Sequence, residues 1–352
     1  MKKILIITHR RDDHGSVVYE ALKIKGANPI LWYPEEYLAN QQSSHIILEN
    51  GFERILTKSD KKEIDLVNLD VVWYRRPRFP RITTDLDEQD AKFVQFENQM
   101  HMKSLWQSIG RNAKWVNPYQ SCDSSNCKAH QLRTAAQFGF KIPHTLISND
   151  RNVVHDFITK NESENAETIY KTFMPGIWNE DERVYQFYTT KIKKETITEE
   201  DILRLTPGIF QKYIPKAYEI RATFMAEDYI AVKIDNQNEV DWSTTIRDSS
   251  FKISAFLLPK DIEDKCIQYM KHLNLHFAIF DFIVTPRGDV IFLEINEMGQ
   301  FLWIENVCPE ICILDMFCNF LLKDEKLNPN HVFSNITRLK DVCQILDGAI
   351  TD

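Results

Sequence analysis

Phe277-Ala-Ile-Phe-Asp281-Phe-Ile-Val-Thr-Pro286-Arg-Gly288-Asp289-Val-Ile-Phe-Leu-Glu294-Ile-Asn296-Glu-Met-Gly299-Gln-Phe-Leu-Trp-Ile-Glu305 sets acidic residues at intervals within an apolar run. Two apolar, β-branched and aromatic runs flank a Pro-Arg-Gly-Asp break, the pattern of a β-hairpin. With Arg287-Gly288 as a two-residue turn, Pro286 faces Asp289, and counting outward sets Asp281 opposite Glu294. Side chains alternate along a strand, so Glu294 and Asn296 share a face, and Asp281 joins it from the neighbouring strand. Two carboxylates side by side among Phe, Ile and Leu are costly unless a cation lies between them. A hard divalent ion such as Mg²⁺ takes oxygen ligands and bridges carboxylates to phosphates. The alternative is a surface hairpin with its acids in water, and a one-residue slip of register would undo the convergence.

The chain has 352 residues, which predicts two or three domains. A hydrophobic content of 43% and a charged content of 27% give a globular chain with a sizeable core. A net charge of −8 argues against a general nucleic-acid partner. No apolar run approaches membrane-spanning length. The apolar start Ile4 to Ile7 turns polar at Thr8-His9-Arg10-Arg11, too soon for a signal peptide, so a cytoplasmic location is expected. The seven cysteines form no paired C-x-x-C sets and read as buried thiols rather than a zinc site.

In chain order, Lys3 to Thr8 reads as a buried parallel strand, followed by a helix over Ser16 to Lys25 that stops at Gly26. Strands at Asn28 to Tyr33 and Leu69 to Tyr74 continue a doubly wound α/β sheet. Ligands meet such sheets at the carboxyl ends of strands, where His9 to His14 and Arg75-Arg76 fall; solvated loop residues are the other reading. Ala91 to Ile109, with Phe93, Phe96, Met100, Leu105 and Trp106, is expected as a core-facing helix. Asn117-Pro118 marks a domain boundary.

Lys128 falls in the first turn of the next helix, where a cation is disfavoured unless it meets an anion such as phosphate. Lys171 lies within a short strand at Glu167 to Phe173, either toward solvent or toward a ligand. Tyr185 to Lys194 reads as half of an exposed, partly basic hairpin. Strands follow at Ile209 to Ile214, Pro215 to Met225 and Ile230 to Ile234. Helices are expected at Asp261 to Leu273, Ile311 to Leu322 and Ile336 to Leu346.

Taken together, Trp73-Tyr-Arg-Arg-Pro77, Lys128 before a Gly139-Phe-x-Ile-Pro143 end, Lys171, Gln211-Lys-Tyr-Ile-Pro-Lys216-Ala-Tyr-Glu219-Ile-Arg221, Asp241-Trp242, Asp281, Leu293-Glu-Ile-Asn296 and Gly299-Gln-Phe-Leu-Trp-Ile-Glu305 resemble the ATP-grasp superfamily. The first and last of these segments point to its branch of microviridin-type graspetide macrocyclases. Ser243 departs from the Arg that the family often carries after its Asp-Trp pair.

The resemblance covers nearly the whole chain. It implies an α/β and α+β protein: an N-terminal doubly wound domain over 1–117, a central lid over 118–214 and a C-terminal antiparallel core for ATP and Mg²⁺ over 215–352. Lys128 and Lys171 would contact phosphates, and Gln211, Lys212, Tyr213 and Ile214 would hold adenine, chiefly through the backbone of the last three. Glu219 would contact ribose, and Asp281, Glu294 and Asn296 would hold Mg²⁺. Arg221, with Lys171, would serve the transferred phosphoryl group. Arg75, Arg76 and Trp242 are candidate substrate contacts, and Tyr185, Lys191, Lys193 and Lys194 a candidate dock for the leader of a precursor peptide. The implied reaction activates Asp or Glu side chains of that peptide as acyl phosphates and closes esters with Ser or Thr, or amides with Lys; the alternatives are another ATP-grasp carboxylate–amine ligase that adds amino acids to a peptide or protein, and a nucleotide-regulated binding protein that has lost catalysis. The general base is open, with His9 and His14 as candidates by position or as plain surface residues. Family members often form homodimers, which the apolar pattern leaves untested.

Overall fold

The structure is a computed structural model. It describes residues 1–36, 43–50, 52–59, 62–80, 82, 85–173, 177–180, 183–186, 188–197, 202–235, 251–323 and 336–350. Trp242, and the segment around it, lie outside the described residues.

The chain opens with β1 (Lys3–Ile7), α1 (Asp13–Ile24), β2 (Asn28–Trp32), β3 (Ser43–Glu49), β4 (Phe52–Ser59), β5 (Lys62–Asp65), β6 (Val71–Tyr74), α2 (Glu88–Ser108) and β7 (Lys114–Val116). Strands β2-β1-β6-β7 form a parallel sheet in that order. Its strands are apolar runs because both faces are covered: Ile4 and Ile6 point into one core with α1, Leu5 and Ile7 into another with α2. Gly26 has φ +77°, the left-handed stop foreseen for α1. Strands β3, β4 and β5 form a separate antiparallel sheet.

Helix α2 corrects an expectation. Leu105, Trp106 and Met102 are buried, whereas Phe93, Phe96 and Met100 are 65%, 60% and 46% exposed. The periodicity is helical, but only the C-terminal half of the helix reaches the sheet.

Next come α3 (Tyr119–Ser125), α4 (Lys128–Gln137), β8 (Thr145–Ser148), α5 (Arg151–Ser163), β9 (Thr168–Lys171), β10 (Ile177–Glu180), β11 (Arg183–Gln186), β12 (Thr190–Ile192), α6 (Ile202–Leu205) and β13 (Gly208–Lys212). Strands β12-β9-β13-β8 form an antiparallel sheet packed on α5, while β10 and β11 pair, among the described residues, with each other. The stretch from Tyr185 to Lys194 is therefore not one hairpin arm. Tyr185 belongs to β11 opposite Trp178, and Lys191 belongs to β12 opposite Ile169.

The last third holds β14 (Tyr218–Met225), β15 (Asp228–Ile234), β16 (Ile253–Phe256), α7 (Lys260–His272), β17 (Phe277–Val284), β18 (Val290–Asn296), α8 (Trp303–Val307), α9 (Ile313–Leu322) and α10 (Leu339–Ile350). Its antiparallel sheet runs β16-β15-β14-β17-β18. One face packs on α7 with Leu132, Ala135 and Phe140 from α4 and the chain after it. The other shares a single core with β1, α1 and β6, so the first and last thirds are joined by continuous apolar packing. Among the described residues, no helix is long and apolar enough to cross a membrane.

Candidate active site

The β17–β18 hairpin reaches the expected pairing by a different route. Its turn has three residues, with Thr285 N–H donating to Asp289 O at 2.9 Å and Gly288 at φ +86°. From Val284↔Val290 to Phe282↔Phe292 the register is one residue off the two-residue count. A bulge between Asp281 and Phe282 restores it, so Asp281 faces Glu294 and Ile279 faces Asn296.

Asp281, Glu294 and Asn296 line a cleft of about 430 Å³ between the C-terminal sheet and the sheet of β9 and β13. Lys128, Lys171, Gln211, Lys212, Tyr213, Ile214 and Glu219 line it too, as does Arg76 from the N-terminal third. Residues from all three parts of the chain thus meet in one place.

Each hairpin carboxylate meets a cation. Arg221 stands opposite Asp281 on β14, and its Nη1 donates to Oδ1 and Oδ2, both at 2.8 Å. Lys128, in the first turn of α4, donates from Nζ to Glu294 Oε2 at 2.6 Å. This answers the puzzle of a cation at a helix N-terminus: the carboxylate supplies the negative charge. Burial, with Glu294 nearby, leaves the Asp281 carboxyl above its ordinary pKa despite Arg221. Burial also opposes the charge of Glu294, but Lys128 and Lys171 outweigh it and hold that carboxyl below its ordinary range.

Asn296 Oδ1 accepts from Met298 N–H at 3.1 Å, which fixes its side chain beside the two acids. Among the described residues no group of three or more His, Cys, Asp or Glu has metal-holding geometry. Two carboxylates and one amide oxygen, open to a cleft with room for water, are instead a hard-cation donor set of the Mg²⁺ type.

The adenine candidates lie on the opposite wall, at and just after the end of β13, whereas Glu219 is on β14 beside the hairpin. Lys212 N–H donates to His144 O at 2.9 Å and Tyr213 N–H to Glu167 O at 2.8 Å. Any adenine contact by this segment therefore falls to its remaining backbone groups. Gln211 Nε2 donates to Thr145 Oγ1 at 3.0 Å, while its buried Oε1 has no partner among the described residues. Glu219 Oε1 accepts from Lys216 Nζ at 2.5 Å in a buried pair. Lys216 also lines the cleft, as do Asn126 and Glu297. These three were not singled out from sequence, although Glu297 directly follows the Glu-Ile-Asn run. Burial raises its carboxyl pKa to about 7.

Several sequence candidates have other tasks. Arg75 is 1% exposed and donates from Nη1 to Met298 O and, at 2.9 Å, to Gly299 O. It is a buried clamp rather than a substrate contact. His14 is buried, and its Nε2 accepts from Phe301 N–H at 3.0 Å and Leu302 N–H at 3.1 Å. That lone pair is committed, so His14 is neither a surface residue nor a general base. His9 is buried as well, and burial with Arg78 nearby lowers its pKa. Arg221 lies behind Asp281, with Nη2 donating to Gln300 O at 3.0 Å, rather than on the cleft wall.

Lys191 donates to Glu167 Oε2 at 2.6 Å and sits 4.2 Å from the centre of the Tyr213 ring, at the cleft edge. Lys193 and Lys194 are exposed. The proposed basic dock is thus split between a cleft-edge lysine and two solvent-facing ones.

Residues 3–123 match the family model of the MvdD pre-ATP grasp domain. No curated protein matches the chain. Among solved structures, the macrocyclase MdnC of Microcystis aeruginosa, bound to precursor peptide MdnA, has a TM-score of 0.80 at 25% identity, covering 92% of this chain and 100% of MdnC. An RiPP-associated ATP-grasp ligase of Chryseobacterium gregarium, in complex with ADP and a leader and core peptide, has a TM-score of 0.80 at 27% identity, covering 92% of this chain and 97% of that one. The macrocyclase MdnB of Microcystis aeruginosa has a TM-score of 0.77 at 26% identity, covering 92% of this chain and 100% of MdnB. With its cleft lined by lysines and paired carboxylates, the chain is thus similar, over most of its length, to RiPP-associated ATP-grasp ligases and macrocyclases.

Proposed function

We propose that this enzyme is an ATP-dependent peptide macrocyclase that joins Asp or Glu side chains of a ribosomally made precursor to Ser or Thr hydroxyls. The observation that carries the reading is the cleft itself: lysines from α4, β9 and β13 face a two-carboxylate hairpin, with Arg76 on its lining. The precursor and ADP complexes of the structural relatives support it.

A carboxylate is a poor electrophile. ATP turns it into an acyl phosphate and leaves ADP; the hydroxyl oxygen then attacks the acyl carbon, phosphate departs, and each ring costs the peptide one water. Lys128 and Lys171 neutralise phosphate oxygens and hold them in line. Asp281, Glu294 and Asn296 would hold Mg²⁺, which supplies charge neutralisation between the phosphates. Arg221 keeps Asp281 oriented from behind, through two hydrogen bonds to its carboxylate. Lys212 to Ile214 and Glu219 bind the nucleoside end, and Arg76 attracts the acidic peptide.

Mass spectrometry tests this. A short Thr/Ser- and Asp/Glu-rich peptide encoded beside this chain, incubated with enzyme, ATP and Mg²⁺, loses one water per ring. Mild base restores the lost mass of esters and leaves amides intact. An unchanged peptide mass with accumulating ADP would send the activated carboxyl to another acceptor and sink the macrocyclase reading.

A further inference from the structure

The backbone lines the cleft from Ile295 to Met298 and continues to Leu302, and buried side chains from other elements hold it step by step. Gln131 of α4 donates from Nε2 to Ile295 O at 3.0 Å, and its Oε1 accepts from Ile295 N–H at 3.4 Å. Asn117 donates to Glu297 O at 3.2 Å. Arg75 then takes the carbonyls of Met298 and Gly299, Arg221 that of Gln300, and His14 the N–H groups of Phe301 and Leu302. Gly299 packs so closely that a Cβ there would lie 2.5 Å from Ile279 Cδ1.

Two of these holders come from the N-terminal third: Arg75 directly after β6, and His14 in the first turn of α1. Asp12 fixes Arg75 in turn, 3.4 Å from its Nε, and accepts from Thr8 Oγ1 at 2.7 Å. Most of this segment is buried, so its backbone groups need protein partners, and side chains from distant elements supply them. Burying a guanidinium to hold two carbonyls is costly, so what it secures is geometry. The held segment carries Met298 on the cleft lining, two residues after Asn296.

We propose that Arg75 and His14 are positioning residues for ring closure: by locking Met298–Leu302 they keep the peptide's activated carboxyl and its acceptor hydroxyl in contact. The proposal rests on the macrocyclase reading above. The N-terminal domain is then part of the working cleft rather than a platform beneath it.

Arg75→Lys, Arg75→Gln and His14→Phe test it in the full-length chain, with the neighbouring precursor peptide, ATP and Mg²⁺. ADP and closed rings are counted together. Wild type releases one ADP per ring. The variants are expected to release about tenfold more ADP per ring, because a misplaced acceptor lets water take the acyl phosphate, while KM for ATP stays within about twofold. His14→Gln, which keeps an acceptor on a side chain of similar reach, restores the wild-type ratio. A purely structural role lowers ADP and rings together and leaves their ratio at one; that outcome in the folded variants would overturn the proposal. A wild-type enzyme that closes no ring would remove the reading beneath it, an outcome visible before any variant is made.

Discussion

The two walls of the cleft use the same ion-pair chemistry in opposite settings. On the hairpin wall, Arg221 and Asp281 are 7% and 12% exposed. On the facing wall, Lys212 and Glu164 are 32% and 46% exposed at 2.6 Å, and Lys191 and Glu167 are 41% and 57% exposed at the same distance. Distance alone would rank the lysine pairs higher. Solvent reverses the ranking: exposed pairs are screened, whereas a buried pair that loses one partner strands a charge. One wall is fixed and charged, and the other is loosely tethered at its rim.

Substitutions that remove the hairpin's acids break the comparison most severely. Asp281→Asn and Glu294→Gln are expected to lower ring closure by about 10³-fold, read as rings per enzyme by mass spectrometry. Next is Arg221→Met, which leaves Asp281 buried without its counter-charge. A loss of roughly 3–5 kcal/mol in urea unfolding is expected; a loss below about 1 kcal/mol would place the pair in the same class as the exposed ones.

The third prediction concerns pH. Burial, then Arg75, holds the His14 pKa down to about 3, with Asp12 opposing and Arg76 and Arg221 adding to the depression. The unfolded chain binds a proton at this position below about 6.5 while the folded chain does not, so stability is full above that pH and falls as pH drops toward 3. Urea midpoints measured from pH 7 to pH 4 should decline in wild type and decline less in His14→Gln. Smallest is the exposed wall: Lys212→Ala and Lys191→Ala should each change stability by about 0–1 kcal/mol, and added salt should erase the difference.

The same contrast governs what could be read from sequence. The hairpin was legible because alternation, turn chemistry and buried acids all constrain one register. Even so, the inferred two-residue turn is a three-residue turn plus a bulge, two offsets that cancel at Asp281 and Glu294. The parallel sheet was legible from its apolar runs. The exposed Phe93 and Phe96 were not, because periodicity gives a helix its apolar face without saying what covers it.

His14 and Arg75 read as cleft or surface residues because their partners are backbone groups more than two hundred positions away. No local pattern announces such a bond. Lys216 was visible within its motif, but its burial against Glu219 is a tertiary fact. The run from Tyr185 to Lys194 alternates like one strand, yet it is divided between two sheets.

If the fixed wall does the chemistry, ring closure depends on Asp281. Wild type and Asp281→Asn are incubated with the neighbouring precursor peptide, ATP and Mg²⁺, and the peptide is weighed. Stepwise loss of one water per ring in wild type, matched by one ADP each and absent in Asp281→Asn, is the predicted result. Rings closed equally well by Asp281→Asn would contradict the account, because the hairpin would then be scaffold and not site.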